Sequence, residues 1–373
     1  MDDPKTLSKI TLMINRAVSP GILAGLKEIG VHDICVAAAR APIIRERKSL
    51  FGMGTKEDLV DTPSDIIVFL VPQEVADPVL GHAIDAGELT IYGRGSAYSE
   101  DITVPAAHEI FQEPSPISVD LEKPDRGLRS LQKVCCIVQR GQGEAIAKVA
   151  LYTGAGVPVI YYGNGTGVRD KMGLLRITIP AEKEIVVVGT TRHNCESVMD
   201  LMIDVGRLEQ PGKGFIYTYL LKKGLADLQV SRGDRRHAAT MEQIVAAIDQ
   251  MRGDTVWRRW ADAKDSAKRK QRGYLTGFVD LTLFCNAGKG AELVDAAMAA
   301  GASGATINTY RHICPPDSPM ARIGLSREAC SMVIPSELVP DIIEAVREAG
   351  AFTDQCFGQV QVRTIKKAFT YVP

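Results

Sequence analysis

Two short stretches of this chain have the residue types that hold a phosphate. Gly93-Arg94-Gly95 and Gly212-Lys213-Gly214 each set a basic side chain between two glycines. Glycine has no Cβ, so backbone N–H groups there can close on an anion, and the flanked base adds positive charge. One such triplet is equally well explained as a tight turn with a solvated base. Two of them, each six residues beyond a glycine that ends a helical pattern (Gly87 and Gly206), favour a ligand role for at least one. The third corresponding place reads Gly358-Gln359-Val360, lacks the base and the second glycine, and is expected to bind nothing.

A further glycine run, Gly163-Asn164-Gly165-Thr166-Gly167, lies at the root of a long loop that carries Arg169 and Lys171. Gly163 and Gly165 on one side and Gly212, Lys213 and Gly214 on the other are expected to clasp a single ligand. Catalytic chemistry finds less support. The six histidines form no H-E-x-x-H, and no G-x-S-x-G elbow occurs. His312 near Cys314 is the nearest approach to a metal or thiol site. No catalytic residue, metal site or cofactor is expected. The eight cysteines are dispersed without a C-x-x-C pair and read as reduced, buried small hydrophobes.

With 44 basic and 45 acidic residues, the net charge is −1, without the basic excess of a nucleic-acid reader. Apolar residues at 45% and charged ones at 24% describe an ordinary globular chain. Met1-Asp2-Asp3-Pro4 begins no signal peptide, and no apolar run approaches the ~20 residues of a membrane span, so a cytoplasmic location is expected.

The elements that would position these residues repeat three times. Helical stripes at Ile22/Leu23/Leu26/Ile29, Ile146/Val149/Ala150 and Leu293/Val294/Ala297/Met298 stop at Gly30, Gly154 and Gly301. A second helix in each copy stops at Gly87, Gly206 and Gly350, giving intervals of 57, 52 and 49 residues between paired glycines. Strand-like runs flank every helix in the order β-α-β-loop-β-α-β. The reading is α+β: three ferredoxin-like, split βαβ units. Runs such as Val134–Val138 are apolar on both faces, so the second sheet face must also be covered, and the three units are expected to do this for one another as a pseudo-trimer. The chain itself would then be a monomer with internal pseudo-threefold symmetry.

The boundaries so drawn are 1–118, 131–229 and 274–373 for the units, with a helical, charged connector at 230–273. That connector has Thr240 and Gln243 as a capping signature, the stripe Met241/Ile244/Val245/Ile248/Met251, and Trp257 and Trp260 among basic residues. It reads as a packed connector, with an acidic docking partner as the alternative. Ala41–Ser64, Val168–Ala181 and Arg311–Arg327 are expected to be mobile interaction loops.

The second copy, Lys133 to about Gln229, resembles the PII-type nitrogen-regulatory signal proteins and their PII-like relatives. The likeness rests on the glycines at the loop root, on Pro180-Ala181-Glu182-Lys183-Glu184-Ile185-Val186, and on Pro211-Gly212-Lys213-Gly214. The other two copies match in pattern only, apart from Gly93-Arg94-Gly95. The resemblance implies adenine-nucleotide sites (ATP, ADP or AMP) in clefts between neighbouring units, and a loop that docks on a regulated membrane transporter or enzyme. By position, Gly163 and Gly165 become loop-root contacts, Gly212, Lys213 and Gly214 the phosphate loop, and Gly93, Arg94 and Gly95 its counterpart. Where the family has paired arginines after the last strand, this chain has Gly224 and Ala226, with Lys222 and Lys223 close by. The expected function is a non-catalytic sensor of an adenine nucleotide or other small anion; the alternative is a ferredoxin-like enzyme or metal-binding protein.

Overall fold

Alternation along the strands sorts the side chains into two apolar regions. In β1 (Lys5–Asn15), Ile10, Leu12 and Ile14 pack with Ile22 and Leu26 of α1 (Ser19–Glu28) and with Val79, Leu80 and Ile84 of α2 (Ala76–Ala86). Met13, one step out of phase, joins a different cluster on the opposite face. The same period of two divides β5 (Arg129–Gln139), where Val134, Cys136 and Val138 meet helices while Leu131 and Cys135 turn away. It divides β10 (Phe278–Asn286) likewise, with Leu281, Leu283 and Cys285 against helices and Phe284 turned away. The residues that turn away gather in one cluster with Tyr98, Tyr217, Tyr219 and Tyr310.

The computed structural model describes residues 5–48, 55–112, 116–120, 128–167, 181–227, 231–232 and 272–372. The remaining strands are β2 (Ile34–Lys48), β3 (Thr55–Val71), β4 (Gly95–Ala107), β6 (Val159–Gly167), β7 (Glu182–Thr190), β8 (Gly214–Leu225), β9 (Ser231–Arg232), β11 (Gly304–Ile313), β12 (Ser326–Pro335), β13 (Gln359–Thr364) and β14 (Lys367–Thr370). The remaining helices of the described residues are α3 (Gly143–Tyr152), α4 (Arg192–Gly206), α5 (Gly290–Ala299) and α6 (Val339–Glu348), and these six described helices fall where the periodicity predicts. The boundary glycines do two different jobs. Gly30, Gly154, Gly301 and Gly350 take the left-handed conformation. At the ends of α2 and α4 it is Glu88 and Arg207 that do so. Gly87 and Gly206 are there for close packing, since a Cβ would lie 2.6 Å from Ile22 and 2.9 Å from Ile146.

The expectation of three ferredoxin-like units assembled as a pseudo-trimer, and the internal threefold that went with it, is overturned. The strands join into one sheet, ordered β14-β8-β5-β7-β6-β11-β12-β10-β13-β4-β1-β3-β2-β9, with further pairings β8–β4, β6–β2 and β11–β2. Ten strands of it close an antiparallel β-barrel. The physical reason is the strand edges. A free unit would leave a row of unpaired N–H and C=O groups at each edge. Here Gly165 pairs with Thr306, Gln359 with Ala107, and Ala97 with Leu225, so each segment's edges are satisfied by another segment's backbone. The helices lie outside this barrel and its lumen holds the tyrosine-rich cluster.

One of the expected loops differs as well. Ala41–Ser64 lies largely within the long hairpin of β2 and β3, paired from Cys35↔Val68 to Lys48↔Thr55, with Ala41, Ile43 and Ile44 buried. Pro42 and Pro63 both sit inside these paired strands. Between Arg311 and Arg327, Met320 and Ile323 are buried against Phe357. Residues 168–180, nearly all of the expected loop Val168–Ala181, and most of the connector, at 233–271, fall outside the described residues. Among the described residues no helix is long and apolar enough to cross a membrane.

Candidate functional site: an open cleft between β8 and β11

The glycine-base-glycine triplet opens β8 where that strand's backbone must pass under β5. Gly214 has φ +153°, and a Cβ on it would stand 2.4 Å from the carbonyl oxygen of Ile137. Only glycine fits there. Gln139 holds the turn from one side, its Nε2 donating to the Gly212 carbonyl at 3.1 Å. Thr370 holds it from the other, its hydroxyl donating to the Gly214 carbonyl at 2.9 Å, while β14 pairs with the start of β8.

This turn forms one wall of a cleft of about 410 Å³. Gly165, Thr166 and Gly167 of β6 form a second wall, and Ser303, Gly304 and Thr306 at the start of β11 a third. Ile137, Phe215, Phe278 and Val333 supply apolar lining, and Tyr371 lines it as well. The size and mixed lining fall within the ordinary range of small-molecule sites. Lys183 and Lys213 bring positive charge to it. Lys213 is half-buried, and among the described residues its ammonium makes no hydrogen bond or ion pair. An anion at the turn and an apolar ring or chain against Ile137 and Val333 would both find partners.

Of the expected site residues, the structure thus brings together Gly165, Gly212, Lys213 and Gly214. The glycine run, however, is strand rather than turn: Gly163–Gly167 belongs to β6 and pairs with Lys183, Glu182 and β11. Gly163 does not line the cleft. It lies against β11, where a Cβ would meet Asn308 Nδ2 at 2.4 Å, and Asn308 donates to the Tyr162 carbonyl. Gly304, which the sequence reading missed, is as constrained as Gly214, with φ +158° and 2.4 Å from a Cβ to the Thr166 carbonyl oxygen.

Gly93, Arg94 and Gly95 lie elsewhere, at the seam of β4 with the end of β8. Their backbone repeats that of the open triplet: φ is +80° and +134° at Gly93 and Gly95, against +72° and +153° at Gly212 and Gly214. The space there is only about 30 Å³. The Gly93 N–H donates to Asp227 Oδ1 at 3.1 Å, and Arg94 turns away to Glu88 and the Gly87 carbonyl. At the third place, beside Gln359 and Gln361, about 20 Å³ remains next to Phe111 and Arg327. Lys222 and Lys223 sit at the far end of β8, paired with Asp101 and Asp77. His312 is fully buried and bonds Asp33 at 3.0 Å across the seam of β11 and β2. Glu184 binds the N–H groups of Gly141 and Gly143 and the Arg40 guanidinium, which makes it a brace for the start of α3.

The largest feature missed by the sequence reading is a charged network in the barrel lumen. Lys9, Lys133 and Asp280 occupy the same phase of the three strands β1, β5 and β10, each opposite a residue of the neighbouring strand: Glu100, Tyr219 and Arg363. Arg363 bonds both Glu100 oxygens and lies 3.2 Å from Asp280, which also accepts from the Tyr217 hydroxyl. Burial, with Arg363 adding to it, pushes the Lys9 ammonium down to about 7; burial likewise lowers Lys133 to about 8. The signal for this was a charged residue at the same place in three apolar strands.

A scan of the chain against protein-family models finds no match, and a search of curated proteins finds none.

Proposed function

We propose that this protein is a non-catalytic sensor that takes a small anionic ligand, adenine nucleotide before others, into the cleft between β8 and β11 and signals occupancy to a regulated transporter or enzyme. The observation that carries the reading is Lys213. It is a half-buried cation without a partner among the described residues, set between two left-handed glycines at the wall of a cleft of about 410 Å³. A charge-assisted contact to phosphate at such a place is worth roughly 1.5–3 kcal/mol. The resemblance of residues 133–229 to PII-type signal proteins supports the choice of nucleotide. The route to a partner is supported by position: β6 and β7, whose ends flank the cleft, run directly into and out of residues 168–180.

Isothermal titration with ATP, ADP and AMP tests this. Saturable binding at one site per chain, lost or weakened in Lys213→Ala, is the expected result. A flat titration with all three nucleotides overturns the choice of ligand. Unchanged affinity in Lys213→Ala overturns the site.

A further inference from the structure

The two glycine-base-glycine turns share a backbone conformation but differ in what stands against them. At the open turn, no carboxylate of the described residues bonds Gly212 or Lys213. At Gly93 a carboxylate is already in place: Asp227 Oδ1 accepts the Gly93 N–H at 3.1 Å, and Asp227 is buried, with 6% of its surface exposed. Its backbone locks it there from both sides. The Asp227 N–H donates to Ser96 Oγ at 2.8 Å, and the Asp227 carbonyl accepts from Val157 N–H at 2.9 Å. The basic residue of this turn is also committed, since Arg94 pairs with Glu88 at 2.5 Å. The space left, about 30 Å³, is on the order of a single water.

From this we infer that Gly93-Arg94-Gly95 is a second anion site that the chain fills with its own Asp227 carboxylate, so that one external anion binds per chain. The inference rests on reading the open cleft as an anion site. A carboxylate and a phosphate oxygen place the same demand on a turn N–H: a full or partial negative charge at hydrogen-bond distance. Asp227 is two residues past the end of β8, the strand whose first residue, Gly214, lines the open cleft. One strand therefore presents a free turn at its start and delivers the plug for the other turn just beyond its end.

Inorganic pyrophosphate, titrated calorimetrically into the full chain, separates the two claims. Wild type should bind one equivalent. Asp227→Ala should bind a second, and that second equivalent should persist when Lys213→Ala is added. Asp227→Asn keeps the side-chain volume and both backbone bonds, which guards against an unfolded alanine variant, and it should admit the second equivalent at least tenfold more weakly than Asp227→Ala. A stoichiometry of one in both Asp227 variants, falling to zero with Lys213→Ala, overturns the plug and leaves the open cleft standing. Wild type binding none while Asp227→Ala binds one overturns the open cleft and upholds the plug. No binding in any variant overturns both.

Discussion

Arg363 sets its guanidinium against both carboxylate oxygens of Glu100, at 2.7 and 2.9 Å, inside the lumen of the barrel. The two residues come from β13 and β4, which are far apart in the chain and adjacent in the sheet. Both are largely withdrawn from water, the Arg363 side chain to 12% and Glu100 to 4%. Burial opposes the charge on Arg363, but Glu100 and Asp280 outweigh it and hold the guanidinium ionised.

Arg363→Met should therefore be strongly destabilising, by about 3–5 kcal/mol, because Glu100 and Asp280 would be left buried without their cation. Adding Glu100→Gln should recover part of that loss. Urea denaturation followed by fluorescence or circular dichroism measures both. A single variant within about 0.5 kcal/mol of wild type, the ordinary range of surface changes, would show that the network is hydrated and weak.

Lys9 makes stability depend on pH in a definite direction. Its amine titrates near the ordinary 10.5 in the unfolded chain and near 7 in the folded one, where it donates to Gln361 at 2.9 Å. Between those values the unfolded state holds a proton that the folded state has released, so stability rises with pH, by up to about 1.4 kcal/mol per unit. Lys133, lowered to about 8, adds a slope of the same sign above pH 8. Urea midpoints should increase from pH 7 to 9, and Lys9→Met should flatten the rise between pH 7 and 8. A midpoint that falls over this range would contradict the assignment.

Lys213→Ala should weaken nucleotide or pyrophosphate binding about ten- to a hundredfold while leaving the melting temperature unchanged within error, because the lysine has no partner among the described residues to lose. Arg94→Ala should leave binding unaltered, its guanidinium being engaged by Glu88. Calorimetry and a melting curve on the same samples read the two effects apart.

Gly214→Ala, unlike Lys213→Ala, should cost stability as well as binding. A Cβ at this φ, 2.4 Å from the Ile137 carbonyl oxygen, must push β8 away from β5, at a cost of roughly 1–3 kcal/mol or more. Gly95→Ala meets the Met13 carbonyl oxygen at the same 2.4 Å and should cost about as much. Loss of stability in both variants, with loss of binding only in the first, is the pattern expected if the turns share a backbone and only one is open.

The local elements were legible because their causes are local. The spacing of Ile22 and Leu26, or of Leu293, Val294 and Ala297, determines a helix with one apolar face, and the six helices among the described residues lie where that spacing puts them. The glycine triplets were legible for the same reason, since a turn whose backbone lies against a neighbouring carbonyl with no room for a Cβ must be written in glycine. Pairing between strand edges has no such local cause. Backbone N–H and C=O groups are alike in every residue, so nothing in Gly165 or Gln359 announces Thr306 or Ala107 as its partner, and the closed barrel is decided only when distant edges meet. That closure also decided which glycine turn stayed open. Gly93 and Gly212 are equivalent as sequence, and they differ because β8 ends two residues before Asp227, at the seam with β4, where its carboxylate reaches the first turn and not the second.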